Sequence, residues 1–247
     1  MNPVAMSRLL ETGGATAVFS AVFLGGGHFY PGRLLTRNQG HLLSASAGIS
    51  LAYVFVHMMP ELSGARQTFV KWTSLPKVFD GMIVYFLALV GFLAFFSLDR
   101  YSTRPRAASA QGEVTDFNIK VAGFAAYVCL VSYLLVNNLD DSLLASATYA
   151  VAMAVHFLTF DHGFREESGE GYLKWGHLLL AAAAPVGWGL GILFDLPQDV
   201  LALMLGFLSG GVIVNSMITE LPTGDAGRLW PFLFGSLLYS LILFTLR

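Results

Sequence analysis

Long apolar runs alternate with short polar connections along the whole chain. A helix that crosses a bilayer needs about 20 mostly apolar residues. Eight stretches fit: 12–29, 40–60, 80–98, 119–137, 142–160, 175–194, 198–219 and 230–246. The first is the least apolar, being rich in Gly and Ala. Arg8 precedes it as it would in a signal peptide, but Glu11 interrupts the flank and no A-x-A site follows. The longest polar stretch, 100–118, reads as a flexible loop, and REESGE (165–170) as a solvated one. The pattern predicts an all-α membrane protein, a single polytopic domain over 1–247 with eight transmembrane helices.

Composition sharpens this picture. Hydrophobic residues make up 55% of the chain and charged residues 12%, against about 25% charged in a soluble domain. Fourteen Lys+Arg against 16 Asp+Glu leave a net charge of −2 and no basic face for nucleic acid. The single cysteine, Cys129, excludes an internal disulfide and a cysteine-based zinc cluster. With alternating spans, five basic residues fall on the side of the termini: Arg8, Arg66, Lys71, Lys77 and Arg247. The other nine fall on the opposite side. Basic residues stay in the cytoplasm, so both termini are expected outside, in a membrane of the bacterial inner type.

Small residues recur at helical spacing: Ser44, Gly48 and Ala52; Ala183, Gly187 and Gly191; Gly206 and Gly210. Such stripes let helix backbones approach closely in lipid. A faint internal repeat accompanies them. Ala47–Gly48 in span two matches Gly210–Gly211 in span seven. Nine residues past the second of each come His57 and Glu220, followed by Pro60 and Pro222. The two spans cross in opposite directions, the pattern of an inverted-repeat transporter.

Several of these segments resemble the ZIP family of divalent-metal permeases. FVHMMPEL (55–62) is similar to the family's second-span ending, and VYFLALVGFLAFFSLDRY (84–101) to its third span. AAAPVGWGLG (182–191) is similar to the sixth, and LGFLSGGVIVNSMITELP (205–222) to the seventh. The resemblance implies a ZIP-like inverted-repeat helix bundle and a zinc-type divalent ion as cargo rather than as a resident cofactor. It implies no enzymatic activity. Its partners would be the lipid bilayer, divalent metal ions and a second copy in a homodimer.

The family's metal motifs are degenerate here. Where the fourth span carries His-Asn-x-x-Asp, this chain has Tyr127, Val128 and Val131. Where the fifth carries His-Glu-x-Pro-His-Glu, His156 and Asp161 match the ends, while Phe157 and Phe160 replace inner ligands. Zn²⁺ takes about four ligands, usually His, Cys, Asp or Glu, and the usual two-metal centre is expected to be missing.

Five residues remain as candidates for a metal or proton site: His57, Glu61, His156, Asp161 and Glu220. His57 and Glu61 lie four apart on one helix face, as an entry pair or an interfacial cap. His156 is the most deeply placed ionisable residue of span five, and such residues are functional by default. Asp161 and His162 mark the end of that helix, where solvation is the plainer role. At about 100° per residue, Asp161 does not share a face with His156, and Glu220 is its better partner. His28, His41 and His177 read as head-group residues, and the methionines as packing. Three classes follow: a ZIP-like permease with an altered site; a ZIP-fold protein binding a lipid, small solute or partner; and, last, an intramembrane metal hydrolase, for which no nucleophile motif exists.

Overall fold

A computed structural model of the protein describes residues 3–29, 39–73, 81–102, 110–138, 143–217 and 228–245. Helices account for nearly all of them, and no strand occurs among the described residues. The helices are α1 (Pro3–Phe29), α2 (Gln39–Ala52), α3 (Met59–Trp72), α4 (Met82–Ser102), α5 (Ala110–Asn138), α6 (Leu143–Gly171), α7 (His177–Leu193), α8 (Gln198–Asn215) and α9 (Leu229–Thr245). One π-helical turn, Tyr53–Met58, joins α2 to α3, and another, Tyr172–Gly176, joins α6 to α7.

Five helices are long and apolar enough to cross a membrane: Met6–Gly27, Met82–Arg100, Phe117–Asn137, Tyr172–Leu193 and Gln198–Asn215. The chain is therefore a multi-pass membrane protein. Leu229–Thr245 is apolar but shorter. The expected second and fifth spans fall in α2 and α6, which spend apolar character on buried polar residues: Ser44, Ser46 and Ser50 in α2, His156 and Asp161 in α6. Neighbouring helices, not lipid, surround those residues, so the helices tolerate them.

The main helix contacts pair α4 with α8, α2 with α9, α5 with α7, and α1 with both α6 and α7. The first three pairs run parallel. Val84 and Ala88 of α4 meet Gly206 and Gly210 of α8 in register, as Cys129 and Tyr133 of α5 meet Gly187 and Gly191 of α7. The α6 and α7 helices run in opposite directions along α1: Phe157 meets Phe19, and Arg165 reaches the Phe23 carbonyl. Ala181 accepts from Ser20, and Trp188 donates to Thr12. Three clusters of helices result: α2 with α9, α3 and α8 with α4, and α1 with α5, α6 and α7.

Glycines set the spacing within the α2–α9 and α4–α8 pairs. A Cβ on Gly48 would strike the Phe232 carbonyl, and one on Gly235 the Ala45 carbonyl. The same exchange links Gly210 with the Ala88 carbonyl and Gly91 with the Phe207 carbonyl. In each pair every glycine seats on the carbonyl three residues before its partner glycine. The small-residue stripes are thus contact lines, as expected from the sequence. Gly91 and Gly235, their counterparts, stand alone in apolar runs and carried no such signal.

Three boundaries differ from expectation. The second apolar run was to end near Pro60, but helix continues to Trp72. Proline lacks the N–H that continues a helix, and here it follows the π turn, where the α-helical bonding pattern is already shifted. Residues 110–118 belong to α5 rather than to a loop, and Phe117 packs edge-on against Trp175. Residues 165–170 belong to α6, and Arg165 turns inward rather than to solvent.

Candidate functional site

His156 is fully buried. Four elements meet at its ring. Its Nδ1 lies 3.3 Å from the Ser50 hydroxyl on α2, and its Nε2 lies 3.1 Å from the Tyr127 hydroxyl on α5. The Ser50 hydroxyl is also 3.0 Å from that of Ser216, just past the end of α8. Phe160 packs edge-on against the imidazole at 4.6 Å between ring centres, and Phe157 closes the adjacent side. Phe95 and Phe124 extend this aromatic wall around Tyr127. The result is a fully enclosed imidazole whose ring nitrogens both face hydroxyls. It lies where these three clusters meet, with Ser50 from the first, Ser216 just past α8 of the second, and Tyr127 and His156 from the third.

Five residues further along α6 the chemistry is different. Asp161 is also fully buried, against the expectation that it is solvated. Arg165 grips both carboxylate oxygens, at 2.5 and 3.1 Å, and Tyr172 donates to one of them at 2.7 Å. The guanidinium continues to the Phe23 carbonyl, and Gly26 leaves room for the carboxylate beside α1. This network ties together α1, α6 and the π-helical turn that leads into α7. Lys120 extends it. Its ammonium lies 3.5 Å from Asp99 and 5.4 Å from the centre of the Phe164 ring, which stacks on Tyr172.

The expected His57–Glu61 pair is present at the α2–α3 junction. His57 and Glu61 approach to 3.1 Å and are 24% and 38% exposed. Tyr53, one turn back, places its ring 5.1 Å from that of His57. His162 turns away from the core and pairs with the exposed Glu166 at 3.4 Å. Glu220, expected beside His156, lies outside the described residues, as does the His28 side chain. Met58 and Met153 are packed in the core.

Among the described residues no group of three or more His, Cys, Asp or Glu side chains comes together as a metal cluster would. The structure keeps His57–Glu61, His156 and Asp161 in three separate networks. Ser50, Ser216, Arg165 and Tyr172 were not singled out by sequence. Serines in apolar helices are ordinary, and Tyr172 and Arg165 sit in a stretch whose charges suggested a loop. No family model and no curated protein matches this chain.

Proposed function

We propose that this chain is a ZIP-like multi-pass membrane protein whose central site is altered, so that it takes a proton or a weakly held cation in place of dehydrated zinc. The observation that carries this reading is the convergence on His156 of α2, α5, α6 and the end of α8, which hold the second, fourth, fifth and seventh apolar runs. The resemblance implies that the repeat helices pack against spans four and five, and the hydroxyls of Ser50 and Ser216 meet His156 and Tyr127 in that manner. The donors in these contacts are one imidazole and three neutral hydroxyls. They bring no negative charge to offset a dication stripped of its water in lipid, a costly state without paired charge.

The glycine contacts support an inverted repeat. Exchanging α2 with α8 and α4 with α9 converts the Gly48–Gly235 pairing into the Gly210–Gly91 pairing. This equates Gly48 with Gly210, one residue away from the match read in sequence. The repeat, with eight alternating spans and both termini outside, forms part of the proposal. A reporter fused after Arg104 is expected to be inactive if it needs the periplasm, and activity there overturns the orientation.

Zinc transport tests the site. Purified protein in liposomes loaded with a zinc dye is expected to give no uptake above empty vesicles. Saturable uptake that His156→Ala abolishes would restore a metal permease with a reduced site. A second reading, a ZIP-fold protein binding a small solute, shares the hydroxyl-lined node and predicts the same absence of zinc flux.

A further inference from the structure

The helices α6 and α9 both pack on α2, yet they scarcely touch each other. Between them lies a slot of about 290 Å³. Its lining divides by burial. Gly235 and Tyr239 of α9 are buried and Ile49 of α2 is half-buried, and these form the floor. Ala147 and Val151 of α6 and Leu238 and Ile242 of α9 are exposed, and these form the rim. Gly235 helps to open the slot. It seats α9 on the Ala45 carbonyl of α2 and adds no side chain to fill the space.

The slot opens toward lipid. The α9 helix carries no charged residue between Leu229 and Thr245, and its outer face is apolar from Leu229 to Phe244. The facing part of α6, residues 143–155, has no charged residue either. No polar atom lines the slot. A water molecule held inside a protein needs two to four polar partners, and a polar solute or headgroup left unpaired there would be costly. A helix is about 10–12 Å across with its side chains, too thick to enter. An empty slot would forfeit the dispersion contacts of its lining. Along α9 it runs from Gly235 to Ile242, about 10 Å at 1.5 Å per residue. The hydrocarbon core is about 30 Å thick, so the slot matches part of one extended hydrocarbon chain.

We propose that this slot is a lipid site that takes one acyl chain of a bilayer phospholipid, with the headgroup left outside it. The proposal rests on the apolar, multi-pass character of the chain and not on the altered metal site. The position is next to that site nonetheless. Ile49 precedes Ser50, whose hydroxyl meets His156, and Val151 belongs to the helix that carries His156. A seated chain therefore packs beside the α2–α6 contact that holds Ser50 on the imidazole.

The test uses the full chain in phosphatidylcholine liposomes that contain some phospholipid with a diazirine midway along one acyl chain. After irradiation the labelled residues are mapped by mass spectrometry. Lipid that only surrounds the protein labels outward side chains such as Phe234 and Leu237, which are 66% and 70% exposed, and does not reach the floor. The wild type is expected to be labelled at Ile49 or Tyr239 as well. Ala147→Phe fills the slot from α6, and Ile242→Trp fills it from α9. Each is expected to abolish floor labelling while Leu237 stays labelled as in the wild type, which shows that α9 remains in place. Outward labelling alone in the wild type overturns the proposal, as does floor labelling that survives in either variant. A second copy covering the slot would leave the floor and the rim at Val151 and Leu238 unlabelled, and that result overturns it too. Zinc uptake does not enter this test, so failure of the lipid site and failure of the altered site are separate results.

Discussion

His156 and Asp161 lie five residues apart on one helix, both fully buried, yet the fold treats them in opposite ways. Asp161 meets a guanidinium and a phenol, and both its oxygens are engaged. Its side chain is tied to Arg165 of the same helix and to Tyr172 of the π-helical turn that leads into α7. His156 meets hydroxyls that can reverse their roles. A buried carboxylate gripped by arginine is an anchor. A buried imidazole between hydroxyls can change charge without losing its partners. Burial of an ionisable group is therefore a weak indicator of function within this helix, and the reversibility of its partners is the better one.

The comparison can be broken most forcefully at Arg165. Replacing it in Arg165→Met leaves the Asp161 carboxylate buried without its counter-charge. Removing one partner of a buried pair costs about 3–5 kcal/mol, so a large fall in the melting temperature in detergent is expected. A shift within error would mean that Asp161 is not anchored by this pair. Tyr172→Phe removes one hydrogen bond to the same carboxylate, and bonds to charged groups contribute about 1.5–3 kcal/mol. A smaller but measurable fall is expected, and its absence would reduce Tyr172 to a stacking partner of Phe164. At the other site Tyr127→Phe removes one hydroxyl from His156. Interhelical hydrogen bonds in membranes average about 0.6 kcal/mol, so its effect on melting should be the least of the three. A loss as large as that of Arg165→Met would make the His156 node as rigid as the Asp161 anchor and erase the distinction.

Legibility in the sequence follows how local each feature is. The apolar runs show where helices lie because a backbone in lipid must satisfy its own hydrogen bonds. The small-residue spacing at Gly48, Gly187, Gly191, Gly206 and Gly210 shows which faces approach others closely. The i,i+4 pairing of His57 with Glu61 is read at once, because both residues share one helix. The angular argument that His156 and Asp161 do not share a face also holds, since they sit in separate networks. Helix ends were harder to read. Pro60 looks like a stop, and REESGE looks like a loop, because the tertiary contacts that carry helix past them leave no periodic trace. The solvation expected at Asp161 failed for a related reason: its counter-ion, Arg165, read as a loop residue.

The sequence by itself determined that this is an apolar, multi-pass helical chain, with packing faces marked by small residues and a single deep histidine in its fifth apolar run. These properties are set by each segment's own composition and period. Only the tertiary structure decided what each buried polar group meets. Ser50, Tyr127, His156 and Ser216 are separated by up to 166 residues, and no local pattern brings them together. Helix pairing does so, through the carbonyl–glycine seats that fix how close and in what register the helices lie. The same packing carries Arg165 back onto Asp161 while leaving His156 between hydroxyls. The chemical difference between the two buried residues therefore arises from the neighbours that packing supplies.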